Sequence, residues 1–243
     1  MERRLARNPA LALSFAFILT APALAVAAGT PDSDPAQVEW ELAHREALEA
    51  HLARVAEEGP PRQAYLAANL AGKTSPLALA GSVGANAESR RIDAARDAIA
   101  RGHDDWILAL AEATCDLGGL SAAERAAACD RPAAAERLAR LADGNAFAHL
   151  TLWQLAVESG DTDEAARQFA AAVRADRYEE PFLAMAGAIR AIYAGVEVPP
   201  VPASFEASLA ESGLVEGPVT RELIAEMETL GAVFALALPA HQP

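Results

Sequence analysis

The chain of 243 residues has few of the residues that favour β-sheet. Aromatic residues make up only 5% of it, β-branched residues are sparse, and no stretch of six residues alternates apolar and polar side chains between turn signals. Alanine is common throughout, and apolar residues recur at helical spacing. The sequence therefore predicts a nearly all-α fold, in which a sheet is hard to place.

The chain also lacks the motifs of common catalytic sites. It contains no G-x-S-x-G nucleophile elbow and no H-E-x-x-H zinc motif. Gly72-Lys73-Thr74 is similar to the end of a phosphate-binding loop, but Ala67 stands where that loop needs a glycine, and we interpret the segment as an interhelical turn. Because no catalytic set is complete, we predict a protein that is not an enzyme and needs no cofactor.

Positive charge is scarce, and the formal net charge is −14 at pH 7. An anionic surface repels nucleic acid and acidic lipid headgroups, so neither is an expected partner. Another protein or peptide, in particular a basic one, remains a candidate partner, as do metal cations. An acidic surface that serves only solubility is the alternative.

Residues 1–28 have the three-part layout of a secretory signal peptide. Arg3, Arg4 and Arg7 precede an apolar run from about Ala10 to Leu19, and small residues follow. The run is shorter than the roughly 20 apolar residues that a membrane span needs, so we predict cleavage and no membrane span. We expect export as a soluble protein, to the periplasm of a Gram-negative bacterium or to the medium.

Only two cysteines are present, Cys115 and Cys129. An oxidising compartment pairs such residues where geometry permits, and their spacing suits a link between adjacent antiparallel helices. Two free buried thiols are one alternative, and a metal pair is another that lacks the further ligands of a tetrahedral site. We predict a disulfide between them.

Caps, glycines and prolines divide residues 34–195 into short helical segments. Asp34-Pro35 is typical of a helix start, and Asp104 is expected to cap the helix that carries Trp106. A small helix is expected around Leu77 and Leu79, and a further one after a capping box formed by Ser121 and Glu124. Segments of this length favour antiparallel neighbours packed in chain order.

The clearest hairpin pattern lies at residues 145–176. Small and apolar residues occupy regular positions on two helices around a Gly160-Asp161 turn: Ala148, Leu152, Ala165, Phe169, Ala172 and Val173. Ala165 is small enough for the two helices to approach, and Phe169 is expected to fill the gap between this hairpin and the next.

This segment resembles one unit of the tetratricopeptide-repeat family, although Trp153, Ala156 and Arg177 depart from its pattern. The resemblance implies antiparallel α-hairpins stacked as a short superhelix, a solenoid that binds another polypeptide on its concave surface. The helix at 181–193 is expected to form the first half of the next unit. Trp153 is the candidate binding residue, and the alternative is that it packs in the core.

The C-terminal part changes character. Residues 196–217 are proline-rich and predict a linker or an extended strap across the helices. A helix is expected within 218–240, with Leu223, Met227, Leu230 and Phe234 along one seam. We expect this helix to cap the array, and dimerisation through it is the alternative.

The histidines offer one rival function. His103-Asp104 resembles the metal-binding doublet of all-helical phosphohydrolases, and His44 and His51 share a helix face. A metal-dependent hydrolase would require these side chains to converge beside further carboxylates. The leading hypothesis is instead an exported, non-catalytic helical-repeat protein that mediates protein–protein interaction in the cell envelope, and a purely structural envelope component is a third possibility.

Overall fold

The computed structural model describes residues 34–74, 85–115, 129–211, 215 and 217–237. In these residues it contains ten helices and no strand, so the predicted all-α fold is confirmed. The predicted signal peptide, the small helix around Leu77 and Leu79 and the capping box at Ser121 and Glu124 lie outside the described residues. No helix in the described ranges combines the length and the apolar character that crossing a membrane requires.

The helices that the structure describes are numbered here in chain order. Their bounds are α1 Pro35–Glu58, α2 Pro61–Thr74, α3 Ala85–Arg101, α4 Trp106–Thr114, α5 Arg131–Leu141, α6 Ala146–Ser159, α7 Thr162–Arg174, α8 Pro181–Ala194, α9 Ala203–Glu211 and α10 Arg221–Ala237.

Aspartates begin several of these helices. The Asp34 side chain accepts a hydrogen bond from the Ala36 amide at the start of α1. At α4 the capping residue is Asp105, which accepts from the Ile107 amide, and not Asp104 as the sequence suggested. The reason is position: Asp105 is the extended residue directly before α4, whereas Asp104 lies exposed in the preceding turn.

Helix α2 lies at the centre of the main core. Its residues 64–70 are all buried, and it packs against α1, α3, α4, α8 and α10. Ala64, Ala67 and Ala68 let neighbouring helices approach closely, while Leu66 and Leu70 fill the space between them. Asn69 is the polar residue of this stretch, and its Nδ2 donates to the Tyr65 carbonyl at 2.9 Å, so the amide is buried with a partner.

A second core joins α4, α5 and α6. It consists mainly of alanines, with Leu138 of α5 and Leu152 of α6 as its large members. Cys115, at the end of α4, and Cys129, just before α5, form a disulfide with 5.8 Å between their Cα atoms. The disulfide therefore links the C-terminal end of α4 to the N-terminal end of α5.

The proline-rich segment covers one side of α1. Val198, Val201 and Phe205 pack around Trp40, whose indole N–H donates to the Pro199 carbonyl at 3.1 Å. The extended strap is restricted to residues 196–202, because α9 begins at Ala203. This helix lies in the region for which the sequence showed almost no helical signal.

After α7 the helices no longer pack mainly against their neighbours in the chain. Helix α8 packs on α2 and α10 and therefore does not form the first half of a further stacked hairpin. Helix α10 lies against α8 and α2, but its buried residues are Ile224, Ala225, Ala232 and Val233. Leu230 is 59% exposed, so the predicted seam was wrong for this residue. The buried face of α10 is turned towards α8 and α2 and, at Ile224, towards Trp40 of α1.

Candidate polypeptide-binding surface

Helices α6 and α7 form an antiparallel hairpin whose ends are fixed by local sequence. The Asn145 side chain caps α6 by accepting from the Phe147 amide at 3.1 Å. Gly160 ends α6 with a φ of +79°, where glycine carries little steric cost. Asp161 then caps α7 by accepting from the Glu164 amide at 2.9 Å.

Asn145 also connects the two open ends of the hairpin. It is fully buried, and its Oδ1 accepts from the Glu179 amide while its Nδ2 donates to the Glu179 carbonyl, both at 3.0 Å. Backbone bonds from Ala146 to the Arg177 carbonyl and from Arg177 to the Gly144 carbonyl complete the junction. The sequence marked Asn145 only as the start of the hairpin, because its partners lie 34 residues away.

Small side chains and one polar chain hold the inner side of the hairpin. Ala148, Leu152 and Ala165 are buried between the helices. His149 Nδ1 donates to Gln168 Oε1 at 2.7 Å, and Gln168 Nε2 donates to Glu164 Oε1 at 2.7 Å. The bond from Gln168, assisted by Arg167, holds the pKa of Glu164 below its usual value.

An apolar surface covers the outer side of the same hairpin. We call it the hairpin face and define it by Leu150, Trp153 and Val157 of α6 with Phe169 and Val173 of α7. The exposed fractions of these residues are 36%, 39%, 54%, 51% and 71% in that order. The ring centroids of Trp153 and Phe169 lie 6.1 Å apart, so the apolar residues of α6 and those of α7 form one surface.

The hairpin face is large for a single-chain surface. At about 200 Å² per large side chain, its exposed fractions correspond to roughly 500 Å². That area is near the top of the range for the largest apolar patch of ordinary monomers, and such patches are often functional.

The hairpin face is open because of the route of the chain after α7. Helix α5 packs against α6 through Leu138 and Leu152 on the inner side, and α8 leaves to join α2 and α10. Phe169 was expected to fill the gap to a next hairpin, but no described helix buries it. Trp153 does not pack in the core either, unlike Trp40, which is 8% exposed.

The hairpin carries more negative than positive charge. Residues 145–180 include seven carboxylates and three arginines. Arg167 pairs with Glu164, and Arg177 lies 3.9 Å from Glu179. Six of the carboxylates are exposed, three near the turn and three at the open end: Glu158, Asp161, Asp163, Asp176, Glu179 and Glu180.

The histidines of the rival hypothesis have separate surroundings. His44 Nε2 contacts Glu228 Oε1 at 2.7 Å, and this contact ties α1 to α10. The His44 ring also stacks on Trp40, which lies in the same helix. His103 and Asp104 are exposed in the turn between α3 and α4. Within the part of the chain that the structure describes, no group of three or more His, Cys, Asp and Glu residues could hold a metal ion.

The contacts of His51 favour its neutral form. Its Nε2 donates to the Ile192 carbonyl at 2.9 Å, and its Nδ1 accepts from Arg54 at 2.7 Å. Burial, together with the charges of Arg54 and Arg221, lowers the pKa of His51. Gly195 is required beside the ring, because a Cβ there would lie 2.6 Å from His51 Cε1.

A shallow depression near Asp104 is lined by structural residues. Arg62 binds Asp105 through two hydrogen bonds of 2.8 and 2.9 Å, and Asp105 caps α4. The charges of Arg62 and Asp105 therefore pair with each other within the fold. The hairpin face is the better candidate site.

The described residues thus define an all-helical protein with an exposed apolar surface on one hairpin. No protein-family model, curated protein or solved structure matches the chain.

Proposed function

We propose that this protein is exported, has no catalytic activity of its own and binds another polypeptide through the hairpin face. The observation that carries the proposal is the joined exposed surface around Trp153 and Phe169. Aromatic residues in the middle of such a surface are the typical anchors of protein–protein interfaces. The tetratricopeptide-like pattern of the same segment supports a binding role.

The size of the hairpin face limits the affinity that it can provide alone. Burial of roughly 500 Å² gives a gross hydrophobic gain of about 12 kcal/mol at 25 cal/mol/Å². Association costs about 4–15 kcal/mol in lost freedom of motion. Because the gain and the cost are of similar size, the apolar contact alone gives at most weak binding, and tighter binding requires polar contacts around its edge.

Export is part of the same proposal. The Cys115–Cys129 disulfide supports it, because disulfides persist in oxidising compartments and are rare in the cytosol. The signal-peptide pattern of residues 1–28 points to the periplasm or the medium. A hydrolase centred on His103 and Asp104 has no supporting contact in the described residues.

The binding proposal is tested by site-specific photocrosslinking. A benzophenone amino acid replaces Trp153 in one variant and Leu230, which is exposed on α10 away from the hairpin face, in the control. After irradiation in cell-envelope extract, we expect discrete protein adducts from position 153 and not from position 230. Equal adduct patterns from the two positions would rule out the hairpin face as the binding surface.

A further inference from the structure

We propose that the partner presents a cationic amphipathic α-helix to the hairpin face. This inference rests on the proposed function and specifies its partner class. The observations that carry it are the helical spacing of the apolar residues, the route of α8 and the carboxylates at both ends of the hairpin.

The spacing of the hairpin face fits a helix. Leu150, Trp153 and Val157 follow an i, i+3, i+7 pattern that spans about 10.5 Å, or two helical turns. Phe169 and Val173 add a second row one turn long on α7. A partner helix with apolar residues at the same intervals can insert them between these rows, as helices do when they pack.

The fold leaves room for such a helix. In a stack of hairpins the helix that follows α7 would lie beside Phe169, but α8 packs on α2 and α10. A helix from a partner would take that position and bury Phe169 as a following hairpin would. Binding of a peptide by strand addition does not fit, because it needs an exposed sheet edge and the described residues contain no strand.

The charge around the hairpin face selects a cationic helix. The exposed carboxylates form two groups, Glu158, Asp161 and Asp163 near the turn and Asp176, Glu179 and Glu180 at the open end. The arginine contacts to these groups are long, 4.0 Å for Arg131 to Glu158 and 3.9 Å for Arg177 to Glu179. Lysines or arginines along the edges of a bound helix would face an excess of negative charge, because residues 145–180 have seven carboxylates and three arginines. This charge favours association and sets the orientation of the helix.

A second copy of the chain is a worse occupant for the same reason. A twofold pairing of two hairpin faces brings acidic ends against acidic ends, whether the hairpins run parallel or antiparallel. Each chain also has a net charge of −14, so the repulsion is not limited to the contact. Self-association through the hairpin face is therefore disfavoured.

The test uses two synthetic peptides and the purified protein. Both peptides have about 18 residues, roughly 27 Å as a helix, and the same leucine stripe. One carries lysines on its polar face and the other glutamates. Binding is measured by fluorescence anisotropy of the labelled peptide at low and high salt, and light scattering reports the oligomeric state of the protein.

The variants separate the apolar and the charged contributions. Trp153→Ala and Val173→Glu alter the hairpin face at exposed positions, and circular dichroism checks their folding. A triple variant, Glu158→Gln, Asp163→Asn and Glu180→Gln, removes three carboxylates beside the face. The matched control, Glu46→Gln, Glu49→Gln and Glu57→Gln, removes three exposed carboxylates from α1.

The lysine peptide is expected to bind, and high salt is expected to weaken its binding. The hairpin triple variant should bind it about threefold to 150-fold more weakly, which is the range for the loss of three exposed ion pairs. The α1 control should change its affinity less than about twofold, because distant exposed charges are screened. Trp153→Ala and Val173→Glu should bind the peptide least.

The contrary outcomes are distinct. Equal binding of the glutamate peptide would overturn the cationic partner while leaving the apolar binding surface intact. Lack of binding by both peptides would overturn the helical partner, and photocrosslinking at position 153 would still decide the proposed function. A dimer that Trp153→Ala dissociates would identify a second copy as the occupant and overturn the inference.

Discussion

One polar and one aromatic residue, Asn145 and Trp153, have the opposite positions to those that hydropathy predicts. Asn145 is fully buried and Trp153 is 39% exposed. The amide is buried because it satisfies its bonds within one junction, to the Phe147 amide and to both backbone groups of Glu179. Trp153 is exposed because no described helix lies over it. Both exceptions occur on the same hairpin, where the site lies.

Asn145→Ala should destabilise the protein by about 2–3 kcal/mol, through the lost helix cap and the unpaired backbone groups of Glu179. Asn145→Asp keeps both acceptor bonds of Oδ1, but it buries a carboxylate whose second oxygen faces the Glu179 carbonyl, so it should destabilise the protein at least as much. Urea unfolding followed by circular dichroism measures both. A loss below about 0.5 kcal/mol in the alanine variant would show that Asn145 does not hold the junction.

His51 makes stability depend on pH. Its pKa in the folded protein lies below the ordinary value, so the unfolded chain binds a proton more readily near neutral pH. Its contribution is therefore complete above the unfolded pKa and decreases as pH falls from about 7 towards 5.

In His51→Gln the melting temperature should change less across this range than in the wild type, because the amide can donate to Ile192 without titrating. Thermal unfolding at pH 7 and pH 5.5 measures the difference between the two pH values. A slope that is unchanged by the substitution would assign the pH dependence to other groups.

At the scale of helices, local signals predicted starts well and buried faces less well. Asp34, Gly160 and Asp161 act where the sequence placed them, because caps and glycine turns depend on immediate neighbours. The buried face of α10 depends on helices distant in sequence, and its seam was therefore misjudged at Leu230. Helix α9 was missed because the prolines before it indicated an extended chain.

The disulfide should stabilise the α4–α5 hairpin through the unfolded state. Reduction, or the double substitution Cys115→Ser and Cys129→Ser, should lower the free energy of unfolding by about 3 kcal/mol. The comparison is urea unfolding with and without dithiothreitol, and the double-serine variant is the control because reductant cannot affect its stability. Equal wild-type midpoints in both conditions would contradict this role.

At the scale of the molecule, the sequence predicted helices but could not predict which of them pack together. The apolar spacing of 181–193 is compatible with stacking on α7 as well as with packing on α2 and α10. Periodicity shows which side of a helix is apolar and does not identify its neighbour. The open hairpin face follows from this choice of neighbours, so the sequence could name Trp153 as a candidate but could not show that it is exposed.

The two cores predict an uneven distribution of stability. The core around α2 contains large residues such as Leu52, Leu66 and Leu70. The core that holds α6 is mostly alanine. Helix α7 contributes one buried residue, Ala165. Burial of less apolar area provides less stabilisation. The α6–α7 hairpin should therefore open at a lower free energy than α2.

Native-state hydrogen exchange tests this order. The amides of α7 should exchange faster than those of α2, and the lysine peptide should slow exchange in α7 and α6 more than in α1. The Val173→Glu variant is the control, because the peptide should then leave α7 exchange unchanged while α2 remains protected. Uniform protection of α2 and α7 would mean that the molecule opens as a single unit. The hairpin face would then be a rigid surface, and binding of a partner would not order it further.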